Sequence, residues 1–228
     1  MNYIKLICII CATFVSVEGF AQGKINRPTK RVKQQTSQNV QTNVVKVSKP
    51  DGFIANHGYV DLGLPSGLKW ATCNIGASSP SGYGNYYAWG ETTSKTIYTE
   101  KNSKMYNKKM EDISGNPQYD SARNNWGGSW RLPKENEIKE LVRECKWDCI
   151  TLDGHMGYKG IGPNGKSIFL PAAGFRSEAD DFTVGDCGFF WSSTPSQWGA
   201  ESFCFFHNPP NIISRQYYVG QSVRPVSH

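Results

Sequence analysis

Alternating apolar and polar positions dominate this chain. In "YVDLGLPSGLKWAT", Val60, Leu62 and Leu64 recur at every second residue, Pro65-Ser66-Gly67 interrupts the pattern, and Leu68, Trp70 and Thr72 resume it. A period of two puts one set of side chains on one face of a strand. Proline early and glycine late in a short stretch reverse the chain, so a β-hairpin is predicted here. Further short strands are predicted from Tyr86 to Trp89, Ser167 to Leu170, Phe189 to Ser193, Ser202 to Phe206, Ser214 to Tyr218 and Ser222 to Val226, with turn residues between them.

One segment has a different period. In "PKENEIKELVREC", Ile138, Leu141, Val142 and Cys145 fall at i, i+3, i+4 and i+7, the spacing of one helix face. Pro133 suits a helix start, and Glu135 and Glu137 suit its positive end. A short helix is also predicted near Tyr119 to Asn124, ended by Gly127-Gly128. The class is therefore α+β, with strands in the majority and one or two flanking helices.

Composition divides the chain. Lys5 precedes an apolar run from Leu6 to Val17, and Gly19 and Ala21 are small residues suited to a processing site. Residues 1–21 thus read as a secretory signal peptide cleaved after Ala21, which implies export to the periplasm, the cell surface or the medium. No later stretch is long and apolar enough for an integral membrane segment. Residues 22–52 are polar and basic and lack aromatics up to Phe53, so they read as a disordered linker. Residues 53–228 suit one domain with one core.

Charge follows the same division. The net charge of +6 comes from the tail: residues 22–50 carry seven basic residues and no acid, and from Asp51 onward 17 basic residues face 18 acids. An exported, nearly neutral domain has no electrostatic footprint for nucleic acid. Of the seven cysteines, Cys73, Cys145, Cys149, Cys187 and Cys204 follow the leader. Five is odd, so at least one thiol is free or joined to another chain, and the connectivity stays open.

The most motif-like stretch, "NNWGGSWRLPKENEI", lacks the glycine spacing of a phosphate cradle. Ser129 lacks a GxSxG frame, the four histidines are scattered, and Cys145-x3-Cys149 has no second pair. Glu178, Asp180, Asp181 and Asp186 match no EF-hand loop and read as an acidic surface turn. Neither a catalytic residue nor a metal or cofactor is predicted.

Six blocks in order, "YVDLGLPSGLKWATCNIGA", "YYAWGETT", "WGGSWRLPKENEIKELVREC", "IFLPAAGFR", "GFFWSST" and "GQSVRPV", are together similar to the Fibrobacter succinogenes major paralogous domain family of exported Bacteroidetes proteins. That family resembles the C-type-lectin-like fold, shared distantly with formylglycine-generating enzymes. The resemblance implies neighbouring termini, antiparallel sheets with flanking helices, and long loops on one face. In the formylglycine-generating relatives a similar "RLPTE" run begins a helix. Lys134 stands where they have threonine, which removes one half of a capping box while Glu137 keeps the other. Their copper-binding cysteine setting is not reproduced, and Cys187 and Cys204 are expected to form a structural disulfide across neighbouring strands. The calcium-dependent sugar-binding motifs of lectins are absent.

In diversified relatives of this fold, variability concentrates before the closing strand. The equivalent segment here places Trp198, His207, Asn208, Asn211, Arg215 and Tyr218 as candidate ligand-binding residues. Aromatics with amides and arginine are the composition of binding surfaces, whereas Phe203, Phe205, Tyr217 and Trp191 alternate as core residues do. Arg224 is expected to close the fold through a carboxylate or carbonyl. Asp120-Ser121-Ala122 resembles a Bacteroidetes O-glycosylation site and competes with a helix start at the same place. The favoured function is a non-enzymatic ligand-binding or adhesion module for protein or glycan. The alternatives are a formylglycine-generating-like oxidase and a structural part of a surface assembly.

Overall fold

The computed structural model describes residues 46–206 and 210–228. The predicted leader, most of the predicted linker, and His207 and Asn208 lie outside these residues. The fold begins with β1 (Gly52–Ile54), β2 (His57–Asp61) and β3 (Lys69–Ala71), followed by α1 (Ser121–Trp126) and α2 (Glu135–Glu144). Then come β4 (Lys146–Leu152), β5 (His155–Ile161), β6 (Ser167–Pro171), β7 (Phe175–Ser177), β8 (Asp180–Phe182), β9 (Cys187–Pro195), β10 (Ala200–Phe206), β11 (Asn211–Arg215) and β12 (Val226–Ser227). All strand pairs are antiparallel, and they form sheets β1-β2-β3-β12, β11-β10-β9, β4-β5-β6 and β7-β8. The class is α+β. No helix among the described residues is long and apolar enough to cross a membrane.

The first predicted hairpin forms with Val60 opposite Trp70, and the Gly67 N–H closes the turn onto Leu64 O at 2.9 Å. The domain also reaches back beyond Phe53. Ser48 N–H donates to Ser167 Oγ at 3.3 Å and Ser48 Oγ accepts from Ser167 N–H at 2.8 Å, tying part of the predicted linker onto β6. Tyr86 to Trp89 and Ser222 to Val226 make isolated bridges instead of full strands over most of their length, including Tyr87 with Gln221.

Alternation along β9 divides the interior in two. Phe190 joins a core with Trp70, Ile138, Leu141, Leu170, Phe203 and Phe205, while its neighbour Trp191 joins a second core with Trp89, Met105, Leu132, Tyr217 and Val223. Successive side chains point to opposite faces of a sheet, so β9-β10 is a partition with apolar packing on both sides. The α2 face packs into the first core as its spacing predicts: Ile138 and Leu141 are buried and Val142 is partly so. Each fully buried aliphatic contributes about 1.5–3 kcal/mol.

The "WGGSWRLP" stretch is a structural junction. Gly127 and Gly128 take φ of 66° and 57°, in the left-handed region that glycine adopts without strain. Trp130 is buried and its indole N–H donates to Ile54 O at 2.8 Å. Arg131 exchanges backbone hydrogen bonds with Val226 and forms a bidentate pair with Glu137 at 2.7 and 2.6 Å. Glu137 also accepts the Lys134 N–H at 2.8 Å, which keeps its half of the capping box. A different free N–H at this helix end, that of Glu135, the first helical residue, is taken by β9: Thr194 Oγ1 accepts it at 3.0 Å.

Asp120 caps α1 by accepting from Ala122 N–H and Arg123 N–H, and its other oxygen takes the N–H groups of Gly115 and Leu132. The helix-start reading of Asp120-Ser121-Ala122 therefore holds. Ser121 is buried, which leaves no room for a glycan on its hydroxyl in the folded domain. Arg224 closes the fold through carbonyls: it donates to Ala71 O, Thr72 O, Phe169 O and Asn74 Oδ1 at 2.8–3.0 Å. Burial pushes its guanidinium down to about 10.

Candidate functional site

A groove of about 570 Å³ opens where the turn after β9 meets the loop before α1. Its size falls in the range of small-ligand clefts, about 300–1,000 Å³. Tyr106, Asn107, Lys108, Lys109 and Met110 form one wall, Pro195 to Gly199 the other, and Gln216 and Tyr217 complete the lining.

Each wall has a local cause. The β9-β10 turn closes with Ser196 N–H on Gly199 O at 2.7 Å. A Cβ at Gly199 would lie 1.9 Å from Arg215 O, so only glycine lets this turn press against the end of β11. The turn holds Trp198 outward, and its side chain is 71 % exposed. On the other wall, Lys108 N–H returns to Met105 O at 3.0 Å, and Asn107 takes φ of 60°. Asparagine tolerates that conformation better than most residues. Asp112 anchors the segment to β9 by accepting from Ser193 Oγ at 3.1 Å and Thr194 Oγ1 at 3.0 Å. Tyr217 stacks on Trp89 with centroids 4.7 Å apart, and Tyr106 meets Tyr218 edge-on at 6.2 Å.

The electrostatics of the groove are one-sided. Among the described residues, Lys108 and Lys109 are its only charged lining residues; both are exposed, and neither joins an ion pair there. A hydrogen bond to the Glu100 carboxylate raises the pKa of Tyr106, and burial raises those of Tyr217 and Tyr218. The phenols therefore stay neutral hydrogen-bonding groups. Among the described residues, no carboxylate, histidine or cysteine lines the groove. Among the described residues, no group of three or more His, Cys, Asp or Glu is placed to hold a metal ion.

The predicted site residues that lie among the described ones, Trp198, Asn211, Arg215 and Tyr218, do not all gather at the groove. Trp198 lines the groove, and Tyr218 supports it through Tyr106. Arg215 borders it, but its guanidinium lies over the rings of Phe175 and Phe189, at 5.0 and 4.7 Å, so it is held by packing. Asn211 pairs with Cys204 while Arg215 pairs with Ala200. That separation of four residues places Asn211 about 13 Å along the strand, away from the groove, and Asn211 Oδ1 accepts the Ile212 N–H at 2.8 Å. Tyr217, expected as core, is both buried and part of the lining.

The wall from Tyr106 to Met110 was not read as a site from the sequence. Its signal was available: "KNSKMYNKKM" holds four lysines and no acid inside a nearly neutral domain.

The cysteines depart from expectation. Cys204 pairs with Phe189 and Cys187 with Phe206, so the two cysteines are diagonal across the ladder and two residues out of register. Diagonal neighbours lie about 7–8 Å apart at Cα, beyond the usual disulfide span, and among the described residues no disulfide forms. The expected Cys187–Cys204 disulfide is thus not present. Burial pushes the Cys204 thiol up to about 11. The acidic turn is a small hairpin in which Asp181 pairs with Arg176.

A second cavity of about 410 Å³ lies beside β1 and β2, lined by Phe53, His57 and Trp126 among others, with His57 stacked on Trp126 at 3.8 Å. Comparison of the chain with family models, with curated proteins and with solved structures gives no match.

Proposed function

We propose that this chain is an exported, non-enzymatic recognition module with a C-type-lectin-like fold, which binds a protein or glycan ligand in the groove between Trp198 and the wall from Tyr106 to Met110. The observation that carries the reading is the composition of that groove among the described residues: an exposed tryptophan, two tyrosines, amides and two lysines, with no carboxylate, thiol or imidazole in the lining. Exposed aromatic anchors on a rigid support are the usual energetic centres of binding surfaces, and Trp89, Asp112 and Gly199 supply that support here.

The fold assignment draws on the six sequence blocks, and on the placement of the first and last strands in one sheet. These two strands form the opposite edges of that sheet. Export rests on the leader-like sequence of residues 1–21.

The test is a glycan-array and surface-protein screen with the full chain and its Trp198→Ala variant. The proposal expects ligands bound by the wild type and lost by the variant. A blank screen, or ligands held equally by both proteins, overturns it.

A further inference from the structure

We infer that the ligand of this groove is an acidic oligosaccharide, its sugar rings stacked on Trp198 and its uronate or sulfate groups paired with Lys108 and Lys109. The inference rests on the reading of the groove as the binding site and narrows that reading to one chemistry.

Three observations lead to it. First, the indole of Trp198 is 71 % exposed at the tip of a tight turn. A flat ring offered to solvent suits the apolar C–H face of a pyranose, and an indole, with only two side-chain torsions, loses little conformational entropy on contact. Second, Asn107, Gln197 and Gln216 line the same groove, and carboxamides both donate and accept. That dual capacity matches vicinal hydroxyls, each of which is donor and acceptor. Third, the charged groups that line the groove among the described residues are both lysines. Four of the 17 basic residues after Asp51 lie from Lys101 to Lys109; of the flanking acids, Glu100 is engaged by Tyr106 and Asp112 by Ser193 and Thr194, and neither Lys108 nor Lys109 joins an ion pair among the described residues. A neutral sugar offers these exposed, hydrated ammonium groups no opposite charge, whereas a carboxylate or sulfate takes charge-assisted hydrogen bonds from them.

The arrangement favours a sugar over an acidic peptide. A peptide of similar charge gains from backbone pairing with a free strand edge, but the groove is walled by two turns and side chains. The lining supplies stacking and amides in place of a ladder.

The experiment measures binding of fluorescently labelled oligogalacturonide, of a sulfated glucan oligosaccharide, and of uncharged laminarin oligosaccharide to the full chain. Both acidic probes share the inferred chemistry, and their ranking separates uronate from sulfate. The basic residues before Asp51 also attract polyanions, so the decisive comparison is between full-length variants that all keep that tail. Lys108→Gln with Lys109→Gln is expected to weaken the preferred acidic probe about tenfold at low salt, with the difference shrinking as salt screens exposed charges. Lys108→Arg with Lys109→Arg retains most of the affinity, and Trp198→Ala loses at least about tenfold.

Equal binding by wild type and the double glutamine variant assigns the affinity to the tail and overturns the inference. Trp198-dependent binding of laminarin alone, or of a protein ligand alone, also overturns it while leaving the groove as the recognition site. Binding of no probe and of no screened ligand removes both readings.

Discussion

Replacing Asp120 by alanine tests how the loops under the groove are held. Its carboxylate accepts four backbone N–H groups: Ala122 and Arg123 at the start of α1, Gly115 in the preceding turn, and Leu132 ahead of α2. Loss of an N-cap acceptor costs about 0.5–2 kcal/mol, and an orphaned buried N–H such as that of Leu132 costs about 1–3 kcal/mol. Gly115 is half-buried, so water partly replaces its bond. Burial raises the pKa of Asp120 despite the four donors, which shows that the buried charge carries a desolvation cost that alanine relieves. The net expectation is a loss of about 2–4 kcal/mol, a large part of the roughly 5–15 kcal/mol that stabilises a domain. Equilibrium urea unfolding followed by circular dichroism measures it. Asp120→Ser restores a cap without reaching Leu132, and so should recover only the smaller share. A loss under about 1 kcal/mol for alanine, or full recovery with serine, would refute the argument that one carboxylate secures both helices.

Three further outcomes follow from the same reasoning. Thr194→Val removes the acceptor of the Glu135 N–H and should cost about 1 kcal/mol; urea midpoints check it, and an unchanged midpoint would remove the assigned contact. Burial lowers the pKa of His57 below its ordinary 6.5, so the fold favours the neutral imidazole. Its stabilising contribution is complete above that value and is lost as pH falls through 6.5 towards the folded pKa. An NMR titration midpoint above 6.5 would show instead that the Trp126 face favours the imidazolium. In thiol labelling of the native protein, exposed Cys149 should react first, while Cys145, pushed up to about 12 by burial, should stay unlabelled until the chain unfolds.

The elements most legible in the sequence are those with a strong local period. The α2 face and the hairpin through Gly67 depend on side chains close in sequence and form as their spacing predicts. The β4-β5 hairpin escaped because Lys146, Asp148 and Cys149 are exposed and blur the alternation, although Asp153-Gly154, with φ of 49° and 82°, is the two-residue turn that such a hairpin uses. The groove was half legible. Trp198 and Tyr218 stood out by residue type, but the opposing wall lies about ninety residues earlier and reaches the site through Asp112, Ser193 and Thr194, a pairing that no local pattern encodes. Asn211 is grouped with Trp198 by the resemblance, since both fall in the segment before the closing strand. A hairpin separates them, since antiparallel pairing brings together residues equidistant from its turn.

The central claim is that ligand binds between Trp198 and the wall from Tyr106 to Met110. Its most direct measurement is a nitrogen-proton NMR titration of the full chain with a ligand from the screen, following the indole and amide signals of assigned residues. The account predicts that the Trp198 indole and the Asn107, Lys108, Lys109 and Gln216 amides shift together, while the buried Trp130 indole stays still. Shifts gathered instead at Phe53, His57 and Trp126, around the second cavity, would contradict it.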